Sequence, residues 1–96
     1  MVEFAATGTK IYFNGEIVPE REATVHVLSG AVKYGATVFE GICAYLSQQN
    51  QLNIFRLPEH LQRLQDSMRI MRFEHDWSDQ YIAKIVSDVF QANHLH

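Results

Sequence analysis

Two stretches of this 96-residue chain carry residue types that can do chemistry together. The first is Tyr34-Gly35-Ala36-Thr37-Val38-Phe39-Glu40-Gly41-Ile42. Large aromatics stand among small residues, so Tyr34, Phe39 and Tyr45 can wall an apolar pocket. Gly41 lets another group approach the backbone. The plainer alternative is ordinary sheet packing. The second stretch is Glu59-His60-Leu61-Gln62-Arg63-Leu64. Arg63 flanks an apolar helical stripe, and a long guanidinium there can reach an anion at the domain edge and grip a phosphate through two N–H groups. The plainer alternative is an i,i+4 pair with Glu59 or an i,i+3 pair with Asp66, worth only a few tenths of a kcal/mol.

Other reactive types offer less. Cys43 has no activating partner in sequence and reads as a small buried residue in a strand. Lys10, Lys33 and Lys84 lack the apolar setting that would lower a lysine pKa for imine formation. Of the histidines only His94 and His96 are close, and two do not complete a zinc site, so no metal ligand is assigned. No Gly-rich phosphate loop is present. A single cysteine excludes an internal disulfide. The net charge of -3 and scattered basic residues argue against nucleic acid; Arg63, Arg69 and Arg72 read as a solvated helix face. Met1-Val2-Glu3-Phe4 lacks the basic start and apolar run of a secretory signal, and no apolar stretch approaches the roughly 20 residues that span a bilayer. A soluble, cytoplasmic protein without a membrane partner is expected.

These residues need a scaffold. Lys10-Ile11-Tyr12-Phe13, then Asn14-Gly15, then Glu16-Ile17-Val18 predicts a hairpin, because both turn positions favour positive φ, and Pro19 closes it. Thr24 to Leu28 reads as a short extended piece. Ser29 to Lys33 reads as a brief capped helix ended by Gly35. From Ala36 to Leu46 an extended chain would put Phe39, Gly41, Cys43 and Tyr45 on one face and Val38, Glu40, Ile42, Ala44 and Leu46 on the other. Ser47 to Asn50 reads as a turn, and Gln51 to Arg56 alternates again. Pro58 suits a helix start. Leu57, Leu61, Leu64, Met68 and Met71 then form one apolar stripe. Ser78 predicts the cap of a second helix bearing Ile82, Ile85, Val86, Val89 and Phe90, with Asn93 near its end. Strands followed by two helices predict one α+β domain, a mainly antiparallel sheet covered on one face by two helices. The chain ends where another strand would be the natural next element, so a truncated domain is expected.

Taken together, Tyr34-Gly35-x-x-Val38-Phe39-Glu40-Gly41-Ile42 and Phe55-Arg56-x-x-Glu59-His60-Leu61-x-Arg63-Leu64-x-x-Ser67 resemble the class IV (fold type IV) pyridoxal-phosphate aminotransferases. The Val-Phe-Glu-Gly-Ile form is most similar to the branched-chain amino-acid aminotransferases. Ile11-Tyr12-Phe13-Asn14-Gly15-Glu16 and Val25-His26-Val27 fit as well. The resemblance implies the small N-terminal domain of an enzyme that moves an amino group between branched-chain amino acids and 2-oxoglutarate, using pyridoxal 5'-phosphate as electron sink. It implies that Arg63 binds the cofactor phosphate and that Tyr34, Phe39 and Gly41 line the substrate pocket, Tyr34 serving a neighbouring subunit in a homodimer or higher homo-oligomer. It assigns no catalytic residue here, because the family's Schiff-base lysine lies in a C-terminal domain absent from these residues, which alone should be inactive. Branched-chain enzymes usually carry arginine where this chain has Cys43. A D-amino-acid or (R)-amine transaminase, or an aminodeoxychorismate lyase of the same fold, therefore stays an alternative. A non-catalytic domain pairing through an exposed sheet edge is a third reading.

Overall fold

A computed structural model describes residues 8–94. Met1 to Phe4 and His96, on which expectations about the two chain ends and a His94–His96 pair rest, lie outside the described residues. The Asn-Gly hairpin forms as its residues dictate. β1 (Lys10–Phe13) pairs antiparallel with β2 (Glu16–Pro19), Lys10 opposite Pro19 and Phe13 opposite Glu16. Asn14 and Gly15 both take positive φ, at 51° and 90°, the conformation a two-residue turn with matching twist requires.

Thr24 to Leu28 is not a strand. The His26 ring Nδ1 accepts from the Leu28 N–H at 2.9 Å and the His26 carbonyl accepts from the Ser29 N–H at 2.9 Å. These local bonds turn the chain, which a β-propensity reading of valines does not foresee. The brief helix α1 (Gly30–Lys33) follows, with Ser29 at its N-cap but making no side-chain cap bond, and with Gly35 just beyond it at φ 64°.

The second hairpin joins β3 (Ala44–Leu46) to β4 (Leu52–Ile54), Ala44 opposite Ile54. Its turn is tied by Ser47, whose Oγ accepts from the Gln49 and Gln51 backbone N–H groups. The two hairpins are separate sheets, so the antiparallel layer comes in two pieces. Between them, Val38 to Tyr45 keeps the predicted two-faced alternation: Phe39, Gly41, Cys43 and Tyr45 are exposed while Val38, Glu40, Ile42 and Ala44 turn inward. Leu46, expected on the inward face, is instead 50% exposed, because it ends β3 where the chain enters the Ser47 turn. β3 begins at Ala44, and the last bond of its ladder is the Cys43 carbonyl accepting from the Phe55 N–H at 2.8 Å; among the described residues no strand pairs beside the part before Cys43. Cys43 lies on the outward face and is exposed, correcting the expectation of a buried thiol.

α2 (Leu57–Ile70) and α3 (Asp79–Ala92) pack on each other, and α3 also packs on β1. Pro58 sits in the first turn of α2. The stripe from Leu57 to Met68 supplies the core, and Leu61 and Met68 are its buried centre, 3% and 4% exposed. Met71, expected to continue the stripe, is exposed, because α2 ends at Ile70 and Met71 is its C-cap. Ser78 caps α3, its Oγ accepting from the Tyr81 N–H at 3.1 Å. Asn93, at the far end of α3, ties helix to hairpin. Its Oδ1 accepts from the Lys10 N–H at 2.8 Å, and its Nδ2 donates to the carbonyls of Lys10 at 3.0 Å and Val89 at 2.8 Å. Tyr12 of β1 and Tyr81 of α3 add a hydroxyl–hydroxyl bond of 3.0 Å, which holds the Tyr12 phenol above its ordinary pKa.

This packing sets the cost of two substitutions. Met68→Ala should lower the unfolding free energy by about 2–4 kcal/mol, the cost of a cavity in so small a core. Asn93→Ala, which strips a half-buried three-bond tie, should cost about 1–3 kcal/mol. Urea midpoints measure both.

Candidate functional site

The inward side of the extended run brings one carboxylate to α2. Glu40 lies between Phe39 and Gly41, and its side chain is only 12% exposed. Its Oε2 is 2.7 Å from His60 Nδ1 and accepts from Arg63 Nη2 at 2.9 Å. His60 and Arg63 are one helical turn apart on α2, so one carboxylate can meet both. Arg63 Nη2 is also 3.1 Å from His60 Nδ1. That nitrogen cannot donate to Glu40 and accept from Arg63 at once. The shorter contact to an ionised carboxylate decides: Nδ1 carries the proton and donates to Glu40, and Arg63 donates to Glu40 alone. The His60 hydrogen bond, ahead of that from Arg63, holds the Glu40 carboxyl below the usual carboxylate range, outweighing the upward push of partial burial.

Arg63 therefore pairs with a residue 23 positions upstream, not with Glu59 or Asp66 as local spacing allows. Asp66 instead accepts from Gln62 Nε2 at 3.1 Å and from Arg69. Glu40 is the residue that sequence reasoning passed over. Its signal was available: a lone carboxylate on the inward face of an apolar run requires a partner.

Phe39, Gly41 and Arg63 line one open cleft of about 420 Å³, together with Ser67 and Ile70 from the next turns of α2. Phe39 is 88% exposed. A Cβ placed on Gly41 would meet nothing within 4 Å, so this chain leaves the space beside its backbone open. The two acids at the cleft, Glu40 and Asp66, are each held by their own cations. The Arg63 side chain is 65% exposed, and its Nε and Nη1 have no hydrogen-bond partner among the described residues.

Tyr34 stands apart from this cleft, exposed, with Lys33 Nζ 5.2 Å from its ring centre. Tyr45 packs edge-on to Phe55 at 6.2 Å. The aromatic pocket of Tyr34, Phe39 and Tyr45 expected from sequence is thus not closed by this chain's own described residues. A larger, more apolar cavity of about 650 Å³ lies elsewhere, between the first hairpin and the two long helices, lined by Tyr12, Val38, Met68, Trp77 and Ile85 among others. Lys84 donates to Asp88 Oδ2 at 2.8 Å, and that bond raises its pKa, the opposite of what an imine-forming lysine needs. Among the described residues no group of three His, Cys, Asp or Glu side chains gathers as a metal site, and no helix is long and apolar enough to cross a membrane.

The depressed Glu40 carboxyl carries a pH dependence. A group whose folded pKa is lowered stabilises the fold above its unfolded pKa, and that contribution is lost as pH falls through the folded value. The stability gap between the native chain and Glu40→Gln should therefore be widest near neutrality and should close as the pH drops below the usual carboxylate range. Urea midpoints taken across pH measure it.

Residues 37–96 match the family model for amino-transferase class IV. The chain is 45% identical over 85 residues to the branched-chain-amino-acid aminotransferase of Salmonella typhimurium, covering 88% of this chain and 27% of that protein. It superposes on the crystal structure of the Escherichia coli branched-chain amino acid aminotransferase with a TM-score of 0.83 at 40% identity, over 93% of this chain and 29% of that one. A T.th. branched-chain amino acid aminotransferase, complexed with N-(5'-phosphopyridoxyl)-L-glutamate, gives the same TM-score of 0.83 at 37% identity, again over 93% of this chain and 29% of that one. The chain thus spans a little over a quarter of the length of the relatives it matches. Its two hairpins and helix pair have the architecture of those enzymes' corresponding part, and the chain belongs to the class IV aminotransferase family.

Proposed function

We propose that these 96 residues form the front of the small domain of a longer, homodimeric, cytoplasmic enzyme. In this reading it exchanges amino groups between branched-chain amino acids and 2-oxoglutarate with pyridoxal 5'-phosphate. One observation carries the reading: Arg63 and the Phe39–Gly41 segment, far apart in sequence, line the same open cleft. Relatives of 37–45% identity that bear the branched-chain aminotransferase name support the reaction class. The phosphopyridoxyl compound in one of them supports the cofactor.

The residues at the cleft fit such a group. Arg63 offers unused guanidinium N–H donors in the planar fork that suits phosphate oxygens, and the nearby acids are occupied by their own partners. Phe39 offers an uncovered apolar face for a branched side chain, each buried CH₂ being worth about 0.8 kcal/mol. Gly41 leaves room for the substrate to approach the backbone. When bound, the cofactor supplies the electron sink for the reaction; this chain's own part is to hold the phosphate and shape the pocket. Tyr34, exposed and outside the cleft, is assigned to the neighbouring subunit's pocket. The many uncovered apolar side chains, Val27, Leu28, Phe39 and Ile70 among them, favour a surface that other parts of the whole enzyme or its partner cover.

Cys43 supports a second reading. It stands on the same outward face as Phe39 and Gly41, where branched-chain enzymes usually carry arginine. A sister activity of the same fold, a D-amino-acid or (R)-amine transaminase or aminodeoxychorismate lyase, would use that face differently.

In the whole-length enzyme, Arg63→Ala should weaken pyridoxal 5'-phosphate binding about ten- to a hundredfold, the loss of a charge-assisted hydrogen bond or two; absorbance titration of the apo form reads it. A substrate panel should show leucine, isoleucine and valine preferred. Turnover of D-alanine or (R)-amines in their place would transfer the assignment to the second reading. The 96 residues alone should show no transaminase activity.

A further inference from the structure

We propose that Glu40, seated by His60, is a positioning residue that holds the Arg63 guanidinium ready for a phosphate. The inference rests on the assignment of Arg63 as phosphate ligand made above. Arg63 is a long, mostly exposed side chain, and such a chain loses rotamer freedom when an anion fixes it. Glu40 removes part of that loss beforehand. It is shielded from water, short, and anchored on the extended run that also carries Phe39 and Gly41. Its Oε2 takes Nη2 at 2.9 Å. That uses one edge of a guanidinium with five N–H donors and leaves the others for the cleft.

His60 completes the device. It is only 15% exposed, and its Nδ1 donates to the same carboxylate oxygen at 2.7 Å. The carboxylate is thereby fixed from α2 while it fixes a second α2 residue. Two effects on a phosphate oppose each other. The Glu40 charge offsets part of the Arg63 charge, which weakens attraction for an anion. The same contact preorganises the fork, which strengthens it. On this inference, preorganisation outweighs the offset charge, because Glu40 is held by the His60 donor as well and so keeps Arg63 in one place.

The test uses the whole-length apo enzyme and two probes, pyridoxal 5'-phosphate and unphosphorylated pyridoxal, titrated by absorbance with thermal melts alongside. Glu40→Gln should weaken the phosphorylated probe by about tenfold and leave pyridoxal unchanged. In an Arg63→Ala background the same change should have no further effect. His60→Gln, which leaves Glu40 and Arg63 in place but loosens the carboxylate, should shift the phosphorylated probe in the same direction by less, and it stands in if Glu40→Gln does not fold. Equal weakening of both probes would mean a general structural role and would overturn the inference. Unchanged or tighter phosphate binding in Glu40→Gln, with Arg63→Ala still weak, would overturn the positioning role and leave the phosphate role standing. Unchanged binding in Arg63→Ala would overturn the phosphate assignment itself, and this inference with it.

Discussion

One shielded carboxylate organises the cleft end of this chain. Glu40 sits on the inward face of an extended segment beside which no strand is paired among the described residues, and its two partners are on α2. An ionised carboxylate in that place is costly unless donors meet it. His60 and Arg63 supply them. The bond that satisfies Glu40 therefore also fixes the segment against the helix, and so brings Phe39 and Gly41 to the edge where Arg63 lies. Its other inward neighbours, Val38, Ile42 and Ala44, are apolar and offer α2 no directional side-chain contact.

The rest of the scaffold serves that placement from a distance. Among the described residues only Leu61 and Met68 are buried apolar side chains, so the apolar core alone is thin. Directional contacts compensate at its margins: the Asn93 tie from the end of α3 to β1, the Tyr12–Tyr81 hydroxyl pair, and the Ser78 cap. The first two link one element to another at a defined register, which a few buried side chains cannot do by themselves, and the cap fixes where α3 begins. Much of the apolar surface left uncovered lies in the turn before α1, on α1, and on the outward face of the extended run. An isolated solvated face would not carry Val27, Leu28, Val32 and Phe39 together. Phe39 belongs both to this surface and to the cleft.

Family membership gives these features a common meaning. Class IV aminotransferases are matched over residues 37–96, the part that holds the extended run, both partners of Glu40 and the two long helices. The first hairpin lies outside that match, yet it is tied to α3 by the Asn93 and Tyr12 contacts. It thus belongs to the same folded unit.

Local rules were enough for the elements. The Asn14-Gly15 turn, the Pro58 helix start, the Ser78 cap and the apolar stripe from Leu57 to Met68 are each set by backbone preference or by a period of a few residues, and the sequence alone determined them; that the stripe stops short of Met71 it did not show. The inward–outward alternation from Val38 to Tyr45 was legible for the same reason; the family was suggested by the resemblance of the Tyr34–Ile42 and Phe55–Ser67 motifs, not by alternation or spacing. What the sequence did not contain was distance across the fold. Arg63 had acids three and four residues away, yet its partner lies 23 residues upstream. Thr24 to Leu28 looked extended until a histidine ring bonded its own backbone, and Cys43 looked buried although it lies on the run's outward, exposed face. Side-chain pairing and burial depend on which elements meet, and only the tertiary structure decided that.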